Sequence, residues 1–180
     1  MNQADLPANL PANAEPLPSI MDIEASGFGL GSYPIEIGFV LPDGSAWCSL
    51  VKPEADWQHW DPNAAAVHHI TREQLMQHGR SPREIADVLN LRLRGQTVYS
   101  DAWAHDYTWL GRLYEAAGRS PSYKLDNLRA LLSEREAARW HEVKRQVSQT
   151  MGLQRHRASA DARILQQTLA ALHQTQRAAA

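Results

Sequence analysis

Residues 19–41 read SIMDIEASGFGLGSYPIEIGFVL, in which two short apolar runs flank a glycine-containing stretch. Short apolar runs bounded by glycine and proline are typical of β-strands. Pro42-Asp43-Gly44 is a turn signal between this stretch and the next apolar run. The sequence therefore predicts three consecutive strands in a meander, over 19–25, 34–41 and 45–52.

Beyond residue 52 the pattern changes to helices with one further strand. We expect a loop over 52–62, short helical pieces over 64–79, a capped helix over 81–95 and a strand over 97–100. Three more helical segments follow over 104–118, 125–149 and 157–176, with a break at Gly152 between the last two. Strands first, followed by alternation with helices, predict an α/β fold with a mixed sheet.

Length and composition fit a single globular unit. The chain has 180 residues, of which 43% are hydrophobic and 21% charged, and a lone cysteine, Cys48. The repeated LPAN in the first seventeen residues predicts a flexible tail over 1–17, followed by one domain over 18–176 and a frayed end at 177–180. Without a long apolar run or a basic leader, we expect a cytoplasmic protein with no membrane contact.

Charge is distributed unevenly along the chain. Residues 1–79 carry a formal charge of -8 and residues 80–180 a charge of +6, although the total is only -2. Basic side chains are concentrated between residues 135 and 157, where they could follow the phosphates of a polyanion. A solvated helix surface explains the same pattern, and charge alone does not separate the two interpretations.

Four carboxylates are the candidate functional groups. Asp22 and Glu24 lie two residues apart in a predicted strand, so their side chains leave the same face of the sheet. Asp106 and Asp161 each begin a helical stripe of apolar side chains that should pack on the sheet. A solvent-facing strand pair and acids that complement helix dipoles would explain each one singly. Together they favour a divalent metal as their common counter-charge.

His156 precedes Asp161 by five residues, which is about 140° around an ideal helix. The two side chains therefore cannot share a helical face. If His156 instead lies in the loop that enters the helix, its imidazole can reach the same site and accept a proton from water.

Three segments resemble the exonuclease motifs of the DEDDh 3'-to-5' exonucleases, the superfamily of proofreading subunits, RNase T and oligoribonuclease. They are DIEASG at 22–27, VYSDAWAHDYTWL at 98–110 and HRASADA at 156–162. The order and spacing of the motifs, with the His-x4-Asp ending, are specific in combination. VHHIT at 67–71 also resembles a segment found between the first two motifs. The resemblance covers about residues 19–175 and implies an RNase H-like α/β fold.

The resemblance further implies a hydrolase that shortens single-stranded DNA or RNA from its 3' end. Asp22, Glu24, Asp106 and Asp161 then become the ligands of two Mg²⁺ or Mn²⁺ ions, with Asp22 between them, and His156 becomes the general base. Asp101 competes with Asp106 for the second motif, but it ends a strand and is out of register, so we assign it to a supporting position.

The chain departs from the family pattern at several positions. Ala25 and Ser26 stand where Thr-Thr is common, Ala102 where asparagine is common, His105 where phenylalanine is common and His69 where glycine is usual. These changes spare the four acids and bear on substrate contact. The residues we expect to touch substrate are Ala25, Ser26, Phe28, Trp103 and Arg155, with Phe28 stacked on a terminal base.

Three alternatives stay open at this point. The enzyme could trim DNA, or it could be an exoribonuclease acting on short RNA, because no residue that reads the sugar 2'-OH is identifiable. A nucleic-acid-binding module on an inactive nuclease fold is the third. The resemblance also allows a homodimer, for which the sequence carries no signal.

Overall fold

A computed structural model describes residues 16–153 and 156–178. Residues 1–15 of the predicted tail lie outside the described residues, and Arg155 also lies outside them. Within them the strands are β1 (Ser19–Ala25), β2 (Pro34–Val40), β3 (Ala46–Leu50), β4 (Thr97–Ser100) and β5 (Lys124–Asn127). The α-helices are α1 (Pro62–His68), α2 (Arg72–His78), α3 (Pro82–Arg92), α4 (Trp103–Ala117), α5 (Glu134–Met151) and α6 (Ala158–Ala178), with a 3-10 turn at Leu128–Leu131.

The strands form one mixed sheet in the order β3-β2-β1-β4-β5. β1, β2 and β3 pair antiparallel, as the predicted meander requires, whereas β4 and β5 run parallel to β1. The α/β prediction with a mixed sheet is therefore confirmed. The strand order reverses between β1 and β4, where the pairing covers only residues 19–20 and 98–99. Crevices at such reversal points are the usual ligand sites of open α/β sheets.

Each face of the sheet has its own hydrophobic core. Met21 and Ile23 of β1 belong to a cluster with buried residues of α3 and α4. Ile20, on the opposite face, packs in a second cluster with residues of α5 and α6. Because β1 alternates between the two faces, Asp22 and Glu24 lie on the α6 face. Full burial of each large apolar side chain contributes about 1.5 to 3 kcal/mol, so the sheet that carries these acids is firmly held.

The expectation of a helix from residue 125 is wrong at its beginning. Lys124–Asn127 instead form β5, which pairs parallel with β4 from Thr97 to Ser100. Leu125 is buried on the sheet while Lys124 is exposed, an alternation too short to recognise within a helix-forming composition. The helix proper begins after Ser133, whose hydroxyl and Glu136 form a reciprocal capping box.

Other element boundaries follow the local signals in the sequence. Gly118 and Gly152 end α4 and α5 in the left-handed conformation, with φ of 59° and 57°. Ser81 and Glu84 cap α3 reciprocally, as expected for Ser-Pro at a helix start. In the described part of the chain, no helix has both the length and the hydrophobicity that a membrane span requires.

Candidate metal centre

The first two acids of the site lie on β1. The register of β1 against β2 places Asp22 opposite Gly38 and Glu24 opposite Glu36. Both acids are partly buried and face the layer of α6. The same face carries Ile20 one step earlier, so β1 passes from hydrophobic core to carboxylates within two residues.

Gly38 allows the beginning of α6 to approach the sheet. A Cβ at this position would lie 2.3 Å from the Ser159 nitrogen and 2.5 Å from the Ala158 carbonyl carbon. Any side chain here would therefore displace α6. The close approach brings the first turn of α6, and with it Asp161, to the strand pair that carries Asp22.

Glu36 fixes the same helix end electrostatically. It is 1% exposed, and its carboxylate accepts two hydrogen bonds, from the Ala158 N–H to Oε2 at 2.8 Å and from Arg157 Nη2 to Oε1 at 2.6 Å. A carboxylate at a helix N-terminus satisfies an otherwise unpaired N–H and complements the helix dipole. The guanidinium of Arg157 therefore forms an ion pair with Glu36. The expectation that Arg157 belongs to the basic side chains that follow a phosphate backbone is corrected accordingly.

His156 lies in the turn before α6, as the sequence argument required. Its φ is 59°, and its backbone N–H donates to Asp161 Oδ2 at 2.7 Å. Glu24, His156 and Asp161 each offer one ligand-type atom, and these three atoms lie within 4.8 Å of one another. The turn therefore brings the imidazole beside Glu24 of β1 and Asp161 of α6, although His156 does not share a helical face with Asp161.

Asp106 reaches the site from the other side. It is the fourth residue of α4, is 1% exposed, and accepts a hydrogen bond from the hydroxyl of Ser100 at the end of β4. Within the described residues its Oδ1 has no hydrogen-bond partner. A buried carboxylate oxygen left unpaired is costly, and a cation would satisfy it.

The four acids repel one another. Burial, then Asp106, Glu24 and Asp161, hold the pKa of Asp22 well above its ordinary value. Burial and Asp161 raise the pKa of Glu24 to about 7, against the opposing charge of Arg157. For Asp106, burial raises the pKa to about 7 despite the Ser100 hydrogen bond. Carboxylates perturbed in this way mark a functional site, and bound cations would relieve the repulsion.

Asp101 lies in the turn after β4 and adds to this negative field. Its charge raises the pKa of both Asp22 and Asp106. Its own carboxylate receives Lys144 Nζ of α5 at 2.7 Å. Asp101 thus lies next to the acidic cluster with a lysine as its partner, a position in keeping with its supporting assignment.

Phe28 is an exposed aromatic side chain that packs on α4, the helix that carries Asp106. Phe28 is 66% exposed. The centroid of its ring lies 5.1 Å from that of His105, in an edge-on arrangement, and 5.9 Å from that of Trp109. His105 in turn stacks on Trp109. Trp103 is 37% exposed and donates its Nε1–H to the Leu125 carbonyl at 3.2 Å. Both predicted aromatic contacts therefore have a face or an edge open to solvent.

The other predicted substrate contacts are less accessible. Ala25 and Ser26 are buried. The Ser26 hydroxyl accepts the Tyr33 N–H at 3.1 Å and lies 3.1 Å from His59 Nδ1. These bonds hold the glycine-containing loop that presents Phe28. The side chain of Ser26 thus supports the loop, and Arg155 is outside the described residues.

The sequence argument missed the groups that hold the site together. Glu36 and Gly38 were not singled out, although a charged residue and a glycine within the apolar run PIEIGFV were available signals. Glycine inside a strand often marks close approach of another backbone. Ser100 carried no signal of its contact with Asp106, and Lys144 was recognisable only as one of the basic side chains between residues 135 and 157, because its partner Asp101 lies 43 positions away.

No protein-family model matches the chain, and a search of curated proteins finds no match either. Solved structures do resemble it. The zinc-bound complex of Escherichia coli exonuclease I with single-stranded DNA has a TM-score of 0.64 at 15% identity, over 88% of this chain and 40% of that one. Exonuclease I from Methylocaldum szegediense has a TM-score of 0.63 and 16% identity, and the match covers 88% of this chain and 40% of that one. A product-bound exonuclease I has a TM-score of 0.66 and 13% identity, over 90% of this chain and 44% of that one.

The chain spans about two fifths of the length of these proteins. At such low identity the likeness concerns the fold. The predicted RNase H-like α/β fold, a mixed sheet flanked by helices, is therefore confirmed, and the chain shares it with exonuclease I.

Proposed function

We propose that this protein is a metal-dependent exonuclease that removes nucleotides from the 3' end of single-stranded nucleic acid, with DNA as its substrate. The observation that carries the proposal is the convergence of Asp22, Glu24, Asp106 and Asp161, from one strand and two helices, into a cluster in which burial and the neighbouring acids raise the pKa of the first three. Such a cluster is costly unless cations occupy it.

The donor set suits hard divalent ions. All four acids offer oxygen ligands, which favour Mg²⁺ or Mn²⁺, and the unpartnered Oδ1 of Asp106 is a ready ligand atom. We assign the metal ligands to Asp22, Glu24, Asp106 and Asp161. Ions bound there would supply positive charge to the scissile phosphate and acidify a water molecule.

His156 is the proposed general base. The Asp161 carboxylate holds its backbone N–H, so the residue stays beside Glu24 and Asp161. Its imidazole accepts the proton of the water whose oxygen attacks the terminal phosphodiester, and the bond from phosphorus to the 3' oxygen of the preceding nucleotide breaks. The terminal nucleotide leaves as the 5'-monophosphate, and the 3' oxygen of the shortened strand takes a proton from solvent to become a hydroxyl group. Proton transfer by a positioned side chain contributes roughly 10² to 10⁴ in rate.

The end of the strand is held by the exposed aromatic side chains. Phe28, supported by His105 and Trp109, offers a face on which a terminal base stacks, and Trp103 lies on the same helix as Asp106. Ala25 and Ser26 form the buried base of the Phe28 loop, and Arg155 adds a positive charge nearby in sequence. DNA is favoured because the exonuclease I structure with this fold contains single-stranded DNA.

The test uses single-stranded DNA and RNA of one sequence, labelled at the 5' or the 3' end, with Mg²⁺, Mn²⁺ or EDTA. We expect stepwise shortening of the 5'-labelled DNA, early release of the 3' label, and no reaction in EDTA. Asp22→Asn should abolish turnover while leaving the fold intact. The control is Asp56→Asn, which removes an exposed acid of the loop before α1 that is not one of the four proposed ligands, and it should retain turnover.

Other outcomes would redirect the assignment. Preferential shortening of short RNA would make the protein an exoribonuclease. Binding of the strands without cleavage, under every metal condition, would identify a binding module and overturn the catalytic proposal.

A further inference from the structure

A polar stripe runs along α5 toward the acidic cluster. His141, Lys144, Arg145, Ser148 and Gln149 follow one another at helical spacing, so they share one face of the helix. Together with Gly152, Leu153 and Asp161 they line a groove of about 590 Å³ between α5 and the start of α6. The groove therefore opens directly on the proposed metal centre.

The groove is basic along its length and acidic at one end. Lys144 and Arg145 carry its fixed positive charges, His141 can add another, and Asp161 is the carboxylate that lines it. The Lys144 ammonium also donates to Asp101 Oδ2 at 2.7 Å, and the two side chains are 30% and 27% exposed. The positive charge of Lys144 is thus held at the border between groove and acidic cluster by a contact that solvent can reach.

We propose that this groove binds the phosphodiester backbone of the substrate strand upstream of its 3' end, with Lys144 transferring from Asp101 to a phosphate when the strand enters. The inference rests on the proposed function and adds the path of the strand. An anionic polymer approaches four carboxylates only where cationic side chains offset the repulsion. Lys144 and Arg145 supply that charge next to the cluster.

The first test measures binding without catalysis. In EDTA, the fluorescence anisotropy of a 5'-labelled single-stranded DNA reports affinity over a range of salt concentrations. The double variant Lys144→Ala/Arg145→Ala should weaken binding by on the order of tenfold or more, and reduce the slope of log K against log salt by about 1.4, since each single-strand phosphate contact contributes about 0.7. Affinity and slope equal to those of the wild type would overturn the proposal.

Arg139→Ala is the matched control. Arg139 lies on the same helix, is exposed, and is about 140° around the helix axis from Lys144. The Arg139→Ala substitution removes one positive charge from α5 and leaves the charges of the groove unchanged. Equal losses in the Arg139 variant and in Lys144→Ala would mean that net charge, and not the groove, governs binding, which contradicts the proposal.

The second test separates the groove from the chemistry. The p-nitrophenyl ester of thymidine 5'-monophosphate is a phosphodiester without an upstream strand, so it occupies the metal centre alone. Arg145→Ala, which leaves the pair between Lys144 and Asp101 in place, should hydrolyse it as the wild type does, while its KM for an oligonucleotide rises severalfold. If both substrates lose activity equally, Arg145 serves the centre itself and the groove proposal fails. A wild type inactive on both substrates would overturn the proposed function, whereas the binding measurement would still decide on the groove.

The third test addresses the exchange of Lys144 between partners. Asp101→Asn should tighten DNA binding severalfold by releasing Lys144, and this gain should disappear when Lys144 is already alanine. A double-mutant cycle measures the coupling. An equal gain with and without Lys144 would show that Asp101 acts by general repulsion, which overturns the exchange.

Discussion

Arg157 grips the buried carboxylate of Glu36 with two nitrogens, Nη2 at 2.6 Å from Oε1 and Nε at 3.1 Å from both oxygens. The same carboxylate accepts the Ala158 N–H at 2.8 Å. Because Asp161 follows within one turn, this contact fixes where the third motif meets the sheet.

The two halves of this ion pair should differ in their effect on stability. Arg157→Ala leaves a carboxylate that is 1% exposed without its counter-charge and should cost about 3 kcal/mol in the free energy of unfolding. Glu36→Gln keeps an acceptor for Ala158 and lets the half-exposed arginine reach water, so we expect about 1 kcal/mol. Urea denaturation measures both. Arg119→Ala, which breaks an exposed pair with Asp87, is the control and should cost under about 1 kcal/mol. Equal losses of unfolding free energy in Glu36→Gln and Arg157→Ala would show that the buried carboxylate is not the more costly partner to leave unpaired.

Gly38→Ala should damage the site more than the fold. The added methyl group meets the backbone of residues 158–159, so α6 must shift, which we expect to cost about 1 to 3 kcal/mol in stability. A displacement of this kind can reduce turnover by about 10²-fold. Gly111→Ala is the control, because that glycine lies in α4 with nothing near its ideal Cβ position, and it should be neutral or stabilising. Full activity in Gly38→Ala would show that α6 is not positioned by this contact.

The pH dependence of stability should reveal the repulsion among the acids. The pKa of Glu24 is raised from 4.5 to about 7, so between these values the native state binds more protons than the unfolded state. The free energy of unfolding in EDTA therefore falls as pH rises through this window, by about 2 to 3 kcal/mol from this group. Glu24→Gln should lack that fall, so that its stability relative to the wild type increases from pH 4.5 to 7 and is constant above. Glu54→Gln, an exposed glutamate elsewhere, controls for loss of charge.

Metal binding should release protons in the same window. Near pH 6.5, Mn²⁺ must displace protons from Glu24 and Asp106, whose pKa values are both about 7. Calorimetric titrations in two buffers of different ionisation enthalpy measure the number released. We expect release at pH 6.5 that diminishes by pH 8.5. Absence of any heat at both pH values would contradict the metal assignment.

Two substitutions at position 156 should separate chemistry from backbone strain. His156 has a φ of 59°, a conformation that glycine adopts freely and alanine does not. Both His156→Gly and His156→Ala should lower turnover by roughly 10² to 10⁴. The glycine variant should be about 1 kcal/mol more stable than the alanine variant. Unchanged turnover in both at pH 7 would remove the imidazole from the reaction.

Much of the site was predictable because its residues lie on periodic elements. Asp22 and Glu24 leave the same face of a strand, and Asp106 and Asp161 begin apolar stripes that pack on the sheet, so periodicity alone brings all four to the sheet. The helical period also showed that His156 cannot share a helical face with Asp161, and the structure has His156 in the turn before α6. The metal-ligand and base roles of these residues stay predictions.

The remainder depends on contacts between distant parts of the chain. β5 forms only because β4 offers an unpaired edge, and the composition of residues 124–127 does not report that edge. In the sequence Arg157 is indistinguishable from the basic residues around it, but in the structure it pairs with Glu36, a buried acid 121 positions away. His69 stands where the motif resemblance leads us to expect glycine, and its φ of 56° is the left-handed value that glycine favours.

In the proposed mechanism, the hydrogen bond from the His156 N–H to Asp161 gives one carboxylate two roles. The side chain that would bind a cation also orients the turn that carries the proposed base. We therefore expect a replacement at 161 to alter ion affinity and proton transfer together, so that the aspartate and its histidine behave as one functional unit.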